Sequence, residues 1–563
     1  MSLFRKKSLE HIVAEAASGN SDGHSSGKLN KVLGVRDLTF MGIAAVIGAG
    51  IFSTIGTAAY NGGPGISLLF IITAVTCGFS ALCYAEFASR VPISGSAYTY
   101  AYVSFGELIA WIIGWALILE YAIGNIVVAI SWSGYFDNLL RGLGIHLPNW
   151  LLTDRFSVNK LIEEAATATQ AGQTLTAAQQ QAQLTFNTAP VLGGIRLIIN
   201  LPAFIIVAII TLLAYVGIKE SKKTTNLMVV FKIIVIILII IVGAFYVKPT
   251  NWTPFLPEGF GGVLAGVSAV FYAYIGFDAI STTAEECKNP QKDLPRGMIY
   301  SLIICTILYI LIALILTGMV HYKELKVNDP LAYVFDKLNL DWIGYIISIS
   351  AVIATTSVLL VFQLGQPRIW MAMSRDGLLP KKFAKVHPNF QTPSFATIAT
   401  GILVGIPSLF LPSSLMTDLT SIGTLFAFVI VCFGVLLLPK LSEGTVKEKG
   451  RFYLPYINGR FIIPVVVTLF VYFFRQRILE SAENLFSEGY QEVLFLIFVI
   501  ISLLVAVFSF LKQWSLIPIL GALCCLYLLI EIPAISWFWF FVWMTVGLTI
   551  YFFYGRRNSR LNT

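Results

Sequence analysis

The sequence predicts an all-α polytopic membrane protein with about fourteen transmembrane helices. Of the 563 residues, 57% belong to the hydrophobic set and only 12% are charged, and the mean hydropathy is +0.79. Soluble domains carry about 25% charged residues, so this composition excludes a water-soluble globular protein. Apolar runs recur along nearly the whole chain, and each has a length close to the roughly 20 residues that cross a bilayer.

The chain divides into four predicted parts. Residues 1–37 are polar and basic and form a cytoplasmic tail, residues 38–440 form a core of ten spans, residues 441–555 add four spans, and residues 556–563 form a second cytoplasmic tail. Because each span needs a continuous apolar run, the spans are predicted at 38–60, 65–89, 107–135, 197–216, 226–247, 261–283, 297–320, 342–365, 395–411, 419–438, 461–474, 493–511, 516–530 and 536–554.

The distribution of basic residues predicts the orientation in the membrane. Lysine and arginine are enriched in the cytoplasmic connections of membrane proteins. With both termini placed inside, most of the 38 basic residues fall in such connections, and the long connection 140–196 lies outside. We therefore expect a multi-pass protein of the plasma membrane, which in a bacterium is the inner membrane. The net charge of +8 follows from this asymmetry and does not indicate a nucleic-acid partner.

The polar residues exclude several kinds of chemistry. Six of the seven cysteines lie in apolar runs without a Cys-x-x-Cys pair, and the five histidines lie in polar connections without the spacing of metal ligands. The chain lacks the glycine loop that cradles the phosphates of ATP. We expect no catalytic residues, no metal and no cofactor, and the protein is not expected to be an enzyme.

Two spans carry glycine at mid-membrane depth in corresponding positions. The first span contains 48–50, Gly-Ala-Gly, and the sixth contains 272–278 with Gly276 near its centre. A single such glycine is as often a packing device between helices. These two spans, however, begin successive five-span units that enter the membrane from opposite sides, an arrangement that points to a binding site at the midplane. The sequence therefore predicts two inverted five-helix repeats with broken helices 1 and 6.

A broken helix exposes backbone groups of both polarities. Its free N–H groups suit a carboxylate, and its free carbonyl groups suit an ammonium group. A small molecule that carries both charges on one carbon is an α-amino acid. Glycine lets such a ligand approach the backbone closely. The expected substrate-binding residues of the two breaks are Val46, Gly48, Ala49, Gly50, Tyr272 and Ile275.

Several motifs resemble the amino acid–polyamine–organocation superfamily, and the last of them narrows the resemblance to its cationic amino acid transporter branch. They lie at 34–37 with 48–52, at 84–98, at 274–290 and at 365–380, and the resemblance covers residues 34–440 and resumes near residue 514. It implies two inverted five-helix repeats that move L-amino acids, cationic or small neutral, across the plasma membrane by alternating access. Such transport is driven by protons or by exchange, without sodium. The implied partners are the amino acid, protons and the lipid bilayer; the oligomeric state is not predicted.

Two ionisable residues inside spans are candidates for proton coupling. Lys232 lies in the fifth span and Glu120 in the third. A charge in hydrocarbon costs about 2.5–3.5 kcal/mol on insertion scales, so each side chain needs a partner or a role. In the resembling family the matching lysine approaches the break in the first span and fills the space of a sodium ion. A structural role is the alternative for both residues, and we interpret Glu86 and Asp278 as structural.

Three further residues are assigned to the site. Tyr274 and Phe277 are candidate gate residues, although aromatic side chains in spans more often serve packing. Thr355 matches the family position that faces the side chain of the substrate. Two alternatives to a proton-coupled carrier stay open, namely an exchanger of amino acids or polyamines and an amino acid sensor that transports nothing.

Overall fold

In a computed structural model of the chain, the structure describes residues 5–7, 31–91, 93–170, 174–264, 266–327, 329–438, 451–483 and 490–562. Most of the predicted tail 1–37 and the predicted boundary at 440–441 lie outside these residues. The described part is nearly all helical. Its two strands, β1 (Val191–Leu192) and β2 (Ile195–Arg196), form one short antiparallel hairpin.

The predicted core contains sixteen α-helices among the described residues, several of them pieces of one span. They are Val35–Val46 (α1), Ile55–Gly62 (α2), Ile66–Arg90 (α3), Ala97–Ser104 (α4), Glu107–Gly142 (α5), Arg155–Gln170 (α6), Ala177–Thr188 (α7), Leu201–Val216 (α8), Ile218–Ala244 (α9), Gly259–Leu264 (α10), Val267–Tyr272 (α11), Pro290–Met319 (α12), Pro330–Lys337 (α13), Asp341–Arg375 (α14), Ser394–Ser408 (α15) and Ser413–Leu437 (α16).

The C-terminal part adds six helices. They are Ile462–Phe473 (α17), Arg475–Glu483 (α18), Tyr490–Lys512 (α19), Leu516–Ile530 (α20), Ala534–Ile550 (α21) and Arg556–Asn558 (α22). The first four share a small apolar core of their own, built around Ile463, Val467, Phe495 and Phe498. Helix α20 also packs against α3 and α16, which joins this part to the rest of the molecule.

Nine helical segments of the described residues are long and apolar enough to cross a membrane. The pair α17 and α18, bent by 63°, would make a tenth span if the two helices cross as one. Helices α8, α15 and α20 are apolar but shorter, at 15 or 16 residues. The protein is therefore an all-α polytopic membrane protein, whereas the count of fourteen spans and the inverted-repeat arrangement stay predictions.

Helix α8 shows how the sequence sets the ends of these helices. Its sixteen residues are almost wholly apolar, which suits a bilayer. At the start, the Asn200 side chain accepts a hydrogen bond from the Ala203 N–H at 3.3 Å, and Pro202 lies in the first turn. Both residues favour helix initiation, because they satisfy or remove backbone donors that have no partner there. At the end, Gly217 has a φ of 134°, which suits glycine and ends the helix.

Long helices surround the two interrupted segments. Helix α5 packs against α14 and α16, and α12 packs against α1 and α3. The most apolar stretch of α5, which is long enough to cross a membrane, is 94% buried, so this helix lies in the centre of the bundle. The residues of the two breaks, 46–52 and 272–277, are buried, so their backbone groups are kept from the lipid.

The two ends of the chain meet on a pair of buried carboxylates. Glu107, fully buried at the start of α5, pairs with Arg5 at 3.3 Å, and Asp376, just after α14, pairs with Lys7 at 2.5 Å. Arg5 also donates a hydrogen bond to the Leu561 carbonyl at 2.9 Å. The segment Arg5–Lys7 thus forms a strap that ties α5, α14 and the C-terminal segment together.

Candidate functional site

The first segment is interrupted where the glycines predict it. Helix α1 ends at Val46, and helical geometry resumes as one π-helical turn at Gly50–Thr54. A Cβ atom on Gly48 would overlap the Val358 side chain, and one on Gly50 would overlap the backbone of Ala273. Both positions therefore require glycine for close approach.

The sixth segment is interrupted at the matching place. Helix α11 ends at Tyr272, and a 3₁₀ helix begins at Phe277. Between them Gly276 adopts a φ of 118°, and a Cβ atom there would lie 2.7 Å from the Cβ of Ala45. The Tyr272 carbonyl accepts the Ile275 N–H at 3.3 Å, so this predicted ligand group takes part in a turn. The two breaks are in close contact, because Gly50 lies against Ala273 and Gly276 lies against Ala45.

The side chain of Lys232, which belongs to α9, reaches the C-terminal end of α1. Its fully buried ammonium group donates to the carbonyls of Ala44 at 3.1 Å and Ile47 at 2.7 Å, and to the Ser357 hydroxyl of α14 at 2.9 Å. A protonated lysine has three donors, and all three are used. The side chain thus connects α9, the broken end of α1 and α14. The assignment of Lys232 to proton transfer stays a prediction.

Glu120 occupies a different part of the site. It is 2% exposed, lies beside the Thr424 hydroxyl of α16, and has an Oε2 atom without a hydrogen bond among the described residues. Asp278, also buried, lies beside Tyr121, and its charge would interact with that of Glu120. The carboxylates of Glu120 and Asp278 thus lie in the same buried region, close enough for their charges to interact. Among the contacts of the described residues, Lys232 makes no hydrogen bond or ion pair with either carboxylate.

The candidate gate residues lie on either side of Gly276. Tyr274 is fully buried, and its hydroxyl donates to the Phe70 carbonyl at 3.0 Å. Phe277 is also fully buried, and its ring centroid lies 6.2 Å from that of Tyr84 and 5.2 Å from that of Phe428. These positions suit residues that cover the breaks, but the contacts are equally those of tight packing.

Helix α14 brings Thr355 to the first break. Thr355 is fully buried, and its hydroxyl donates to the Ala351 carbonyl at 2.7 Å, one turn back on its own helix. It lies three residues before Val358, the residue that touches Gly48, and therefore on the same helix face. Its neighbour Ser357 accepts a hydrogen bond from Lys232. One turn of α14 thus carries three of the residues that surround the break.

Tyr309 belongs to the site although the sequence analysis missed it. Its hydroxyl, fully buried on α12, lies 2.7 Å from the Val46 carbonyl and 3.0 Å from the Ala273 carbonyl, so it bridges both breaks. The ring packs against Phe70 and Tyr274, with centroids 5.6 and 5.4 Å away. The only signal in the sequence is a hydroxyl group in the middle of a long apolar run.

Ion pairs connect α14 to the segment after the second break. Arg368 and Glu286, both almost fully buried, form a bidentate pair at 2.6 and 2.7 Å. Arg375, the last residue of α14, pairs with Glu285 at 2.9 Å, and about a quarter of each side chain is exposed. Glu86, which the sequence indicates as structural, forms an ion pair with Arg90 at 2.6 Å.

Comparison with known proteins agrees with this architecture. The amino acid permease family matches residues 33–487, and the profile of the C-terminus of that permease matches residues 515–559. The branched-chain amino acid permease BcaP of Bacillus subtilis (strain 168) is 40% identical over 100% of this chain and 99% of its own length. The methylthioribose transporter of the same organism is 37% identical over the same shares. The human cationic amino acid transporter 4 is 30% identical over 96% of this chain and 89% of its own.

These matches cover most of the chain, and they confirm the resemblance carried by the motifs. The family consists of membrane transporters and not of enzymes, in agreement with the composition of the site. The chain belongs to the amino acid permease family.

Proposed function

We propose that this protein is a secondary active transporter that moves L-amino acids, cationic or small neutral, across the plasma membrane by alternating access. The observation that carries the proposal is the pair of broken helices in backbone contact at Gly50–Ala273 and Gly276–Ala45. Backbone N–H and carbonyl groups freed by such breaks match the carboxylate and ammonium groups of an amino acid. Substrate binding is assigned to Val46, Gly48, Ala49, Gly50, Tyr272, Ile275 and Thr355, with Tyr274 and Phe277 as gates.

We further propose that transport is coupled to protons and needs no sodium. The protonated Lys232 side chain fills the space between α1 and α14 and makes three hydrogen bonds there. Loss of its proton would remove both the charge and one donor, and so would loosen α1 from α14. Glu120, buried near a second carboxylate, is the other proposed proton carrier.

The relatives supply a second candidate for the substrate class. BcaP is named for branched-chain amino acids and another full-length relative for methylthioribose, a sugar without an amino or carboxyl group. The breaks favour a zwitterion over a neutral sugar, since they offer backbone groups for both charges. Leucine and methylthioribose are therefore the informative competitors.

The test is uptake of labelled arginine, alanine, leucine and methylthioribose into liposomes that contain only this protein. An inward pH gradient without sodium is expected to drive uptake of an amino acid, and a protonophore is expected to abolish it. Uptake that ignores the gradient and needs amino acid inside would make the protein an exchanger. Uptake of methylthioribose alone would overturn the amino acid assignment, and binding without flux would favour a sensor.

A Thr355→Met variant tests the assignment of the side-chain pocket. The added volume at a fully buried position costs about 1–3 kcal/mol where nothing can yield. We expect uptake of arginine to fall about tenfold or more, and that of alanine, which lacks a long side chain, to fall much less. Competition curves with both amino acids measure the ratio of arginine uptake to alanine uptake. Unchanged uptake of both would remove Thr355 from the pocket.

A further inference from the structure

Several carbonyl groups at and beside the two breaks accept hydrogen bonds from side chains of the protein. Lys232 takes two of them at the end of α1. The Thr54 hydroxyl lies 2.8 Å from the Gly50 carbonyl and 3.1 Å from the Ala269 carbonyl. Tyr309 of α12 lies between two more of them, the carbonyls of Val46 and Ala273.

A buried carbonyl without a donor costs free energy, so each state of a carrier must supply one. In the loaded state, an ammonium group at the breaks brings three donors. In the empty state the same oxygens need a donor from the chain. Tyr309 offers one O–H between two acceptors, and its ring is held in place by Phe70 and Tyr274.

We propose that the Tyr309 hydroxyl replaces the ammonium group of the substrate in the empty carrier, and so allows the unloaded site to close and to return across the membrane. This inference rests on the proposed function and adds a positioning residue to it. Closing over an empty site brings the Val46 and Ala273 carbonyls together away from water, and the hydroxyl is the group that lies between them. The loaded carrier does not depend on it.

The two modes of transport separate this role from a merely structural one. Net uptake requires the empty carrier to return in every cycle, whereas exchange of internal for external substrate uses only loaded carriers. In Tyr309→Phe, which removes one oxygen and keeps the ring, we expect net uptake to fall at least tenfold. Exchange is expected to stay within threefold of the wild type.

The experiment measures both modes in the same proteoliposomes, either empty with an imposed pH gradient or preloaded with unlabelled substrate. Tyr551→Phe is the matched control, because it removes another buried tyrosine hydroxyl, 2.9 Å from Glu107, far from the breaks in sequence. We expect the control to leave both modes unchanged. A wild type without flux of any substrate would defeat the proposed function instead.

Three results would overturn the role of Tyr309. These are net uptake by Tyr309→Phe within threefold of the wild type, an equal loss of both modes, and a wild type that exchanges but never shows net uptake. A second measurement uses purified protein. If the hydroxyl stabilises only the empty state, saturating substrate should raise the melting temperature of Tyr309→Phe more than that of the wild type, and an equal rise in both would contradict the role.

Discussion

Replacing Lys232 by methionine is expected to abolish uptake driven by a pH gradient, with a loss of about 100-fold or more. The side chain keeps its unbranched shape and most of its length but loses its charge and all three hydrogen bonds, to Ala44, Ile47 and Ser357. Without a titratable group at this position no proton is carried there, and a 100-fold loss of rate corresponds to roughly 2.7 kcal/mol. Initial rates in liposomes, with and without the gradient, measure the effect.

The matched control for this variant lies on the same helix. Lys223 is exposed near the start of α9, and Lys223→Met is expected to transport at the rate of the wild type. If Lys232→Met still follows the gradient, Lys232 is not the proton carrier, and Glu120 remains as the candidate. If Lys232→Met no longer responds to the pH gradient but still exchanges internal for external amino acid, the role of Lys232 is confined to proton coupling.

Replacing Arg368 by methionine is expected to lower the free energy of unfolding by about 3–5 kcal/mol, because it leaves the Glu286 carboxylate buried without its cation. The guanidinium group also donates to the Leu364 carbonyl, which would lose that partner. Denaturant titration in detergent, followed by intrinsic fluorescence, measures the change. The effect is large because both side chains are at most 2% exposed.

Two companion variants decide whether burial is the cause. Arg375→Met breaks a pair of the same chemistry with Glu285 that is about a quarter exposed, and a cost of about 0–1 kcal/mol is expected. The double variant Arg368→Met with Glu286→Leu removes both charges and should recover most of the lost stability. Equal costs for Arg368→Met and Arg375→Met would contradict the explanation.

The breaks were predictable from the sequence because their cause is local. Gly48, Gly50 and Gly276 are residue types that tolerate close backbone contact or a positive φ, and the structure interrupts both segments beside them. The position of Lys232 beside the first break followed from the family resemblance, which supplied a contact between distant parts of the chain.

The long-range partners were not predictable, because periodicity and composition carry no information on them. Arg368 and Glu286 are 82 positions apart, and Tyr309 lies 263 positions from Val46. A tyrosine within a span is more often a packing or interface residue, so its hydroxyl gave no reason to expect a bridge. The number of spans stays a prediction, since α8, α15 and α20 are apolar but too short to count as spans by length.

The strap formed by Arg5–Lys7 has a consequence for how the molecule is made. Arg5 is synthesised well before its partner Leu561, which follows 556 positions later. At about 5–20 residues per second, synthesis of the intervening chain takes roughly half a minute to two minutes. Glu107 must wait through a comparable interval for Tyr551 and Ser559, which complete its contacts, while the helices after α5 enter the membrane. The strap is therefore completed only after the C-terminal segment has been made, although Arg5 and Glu107 are synthesised long before it.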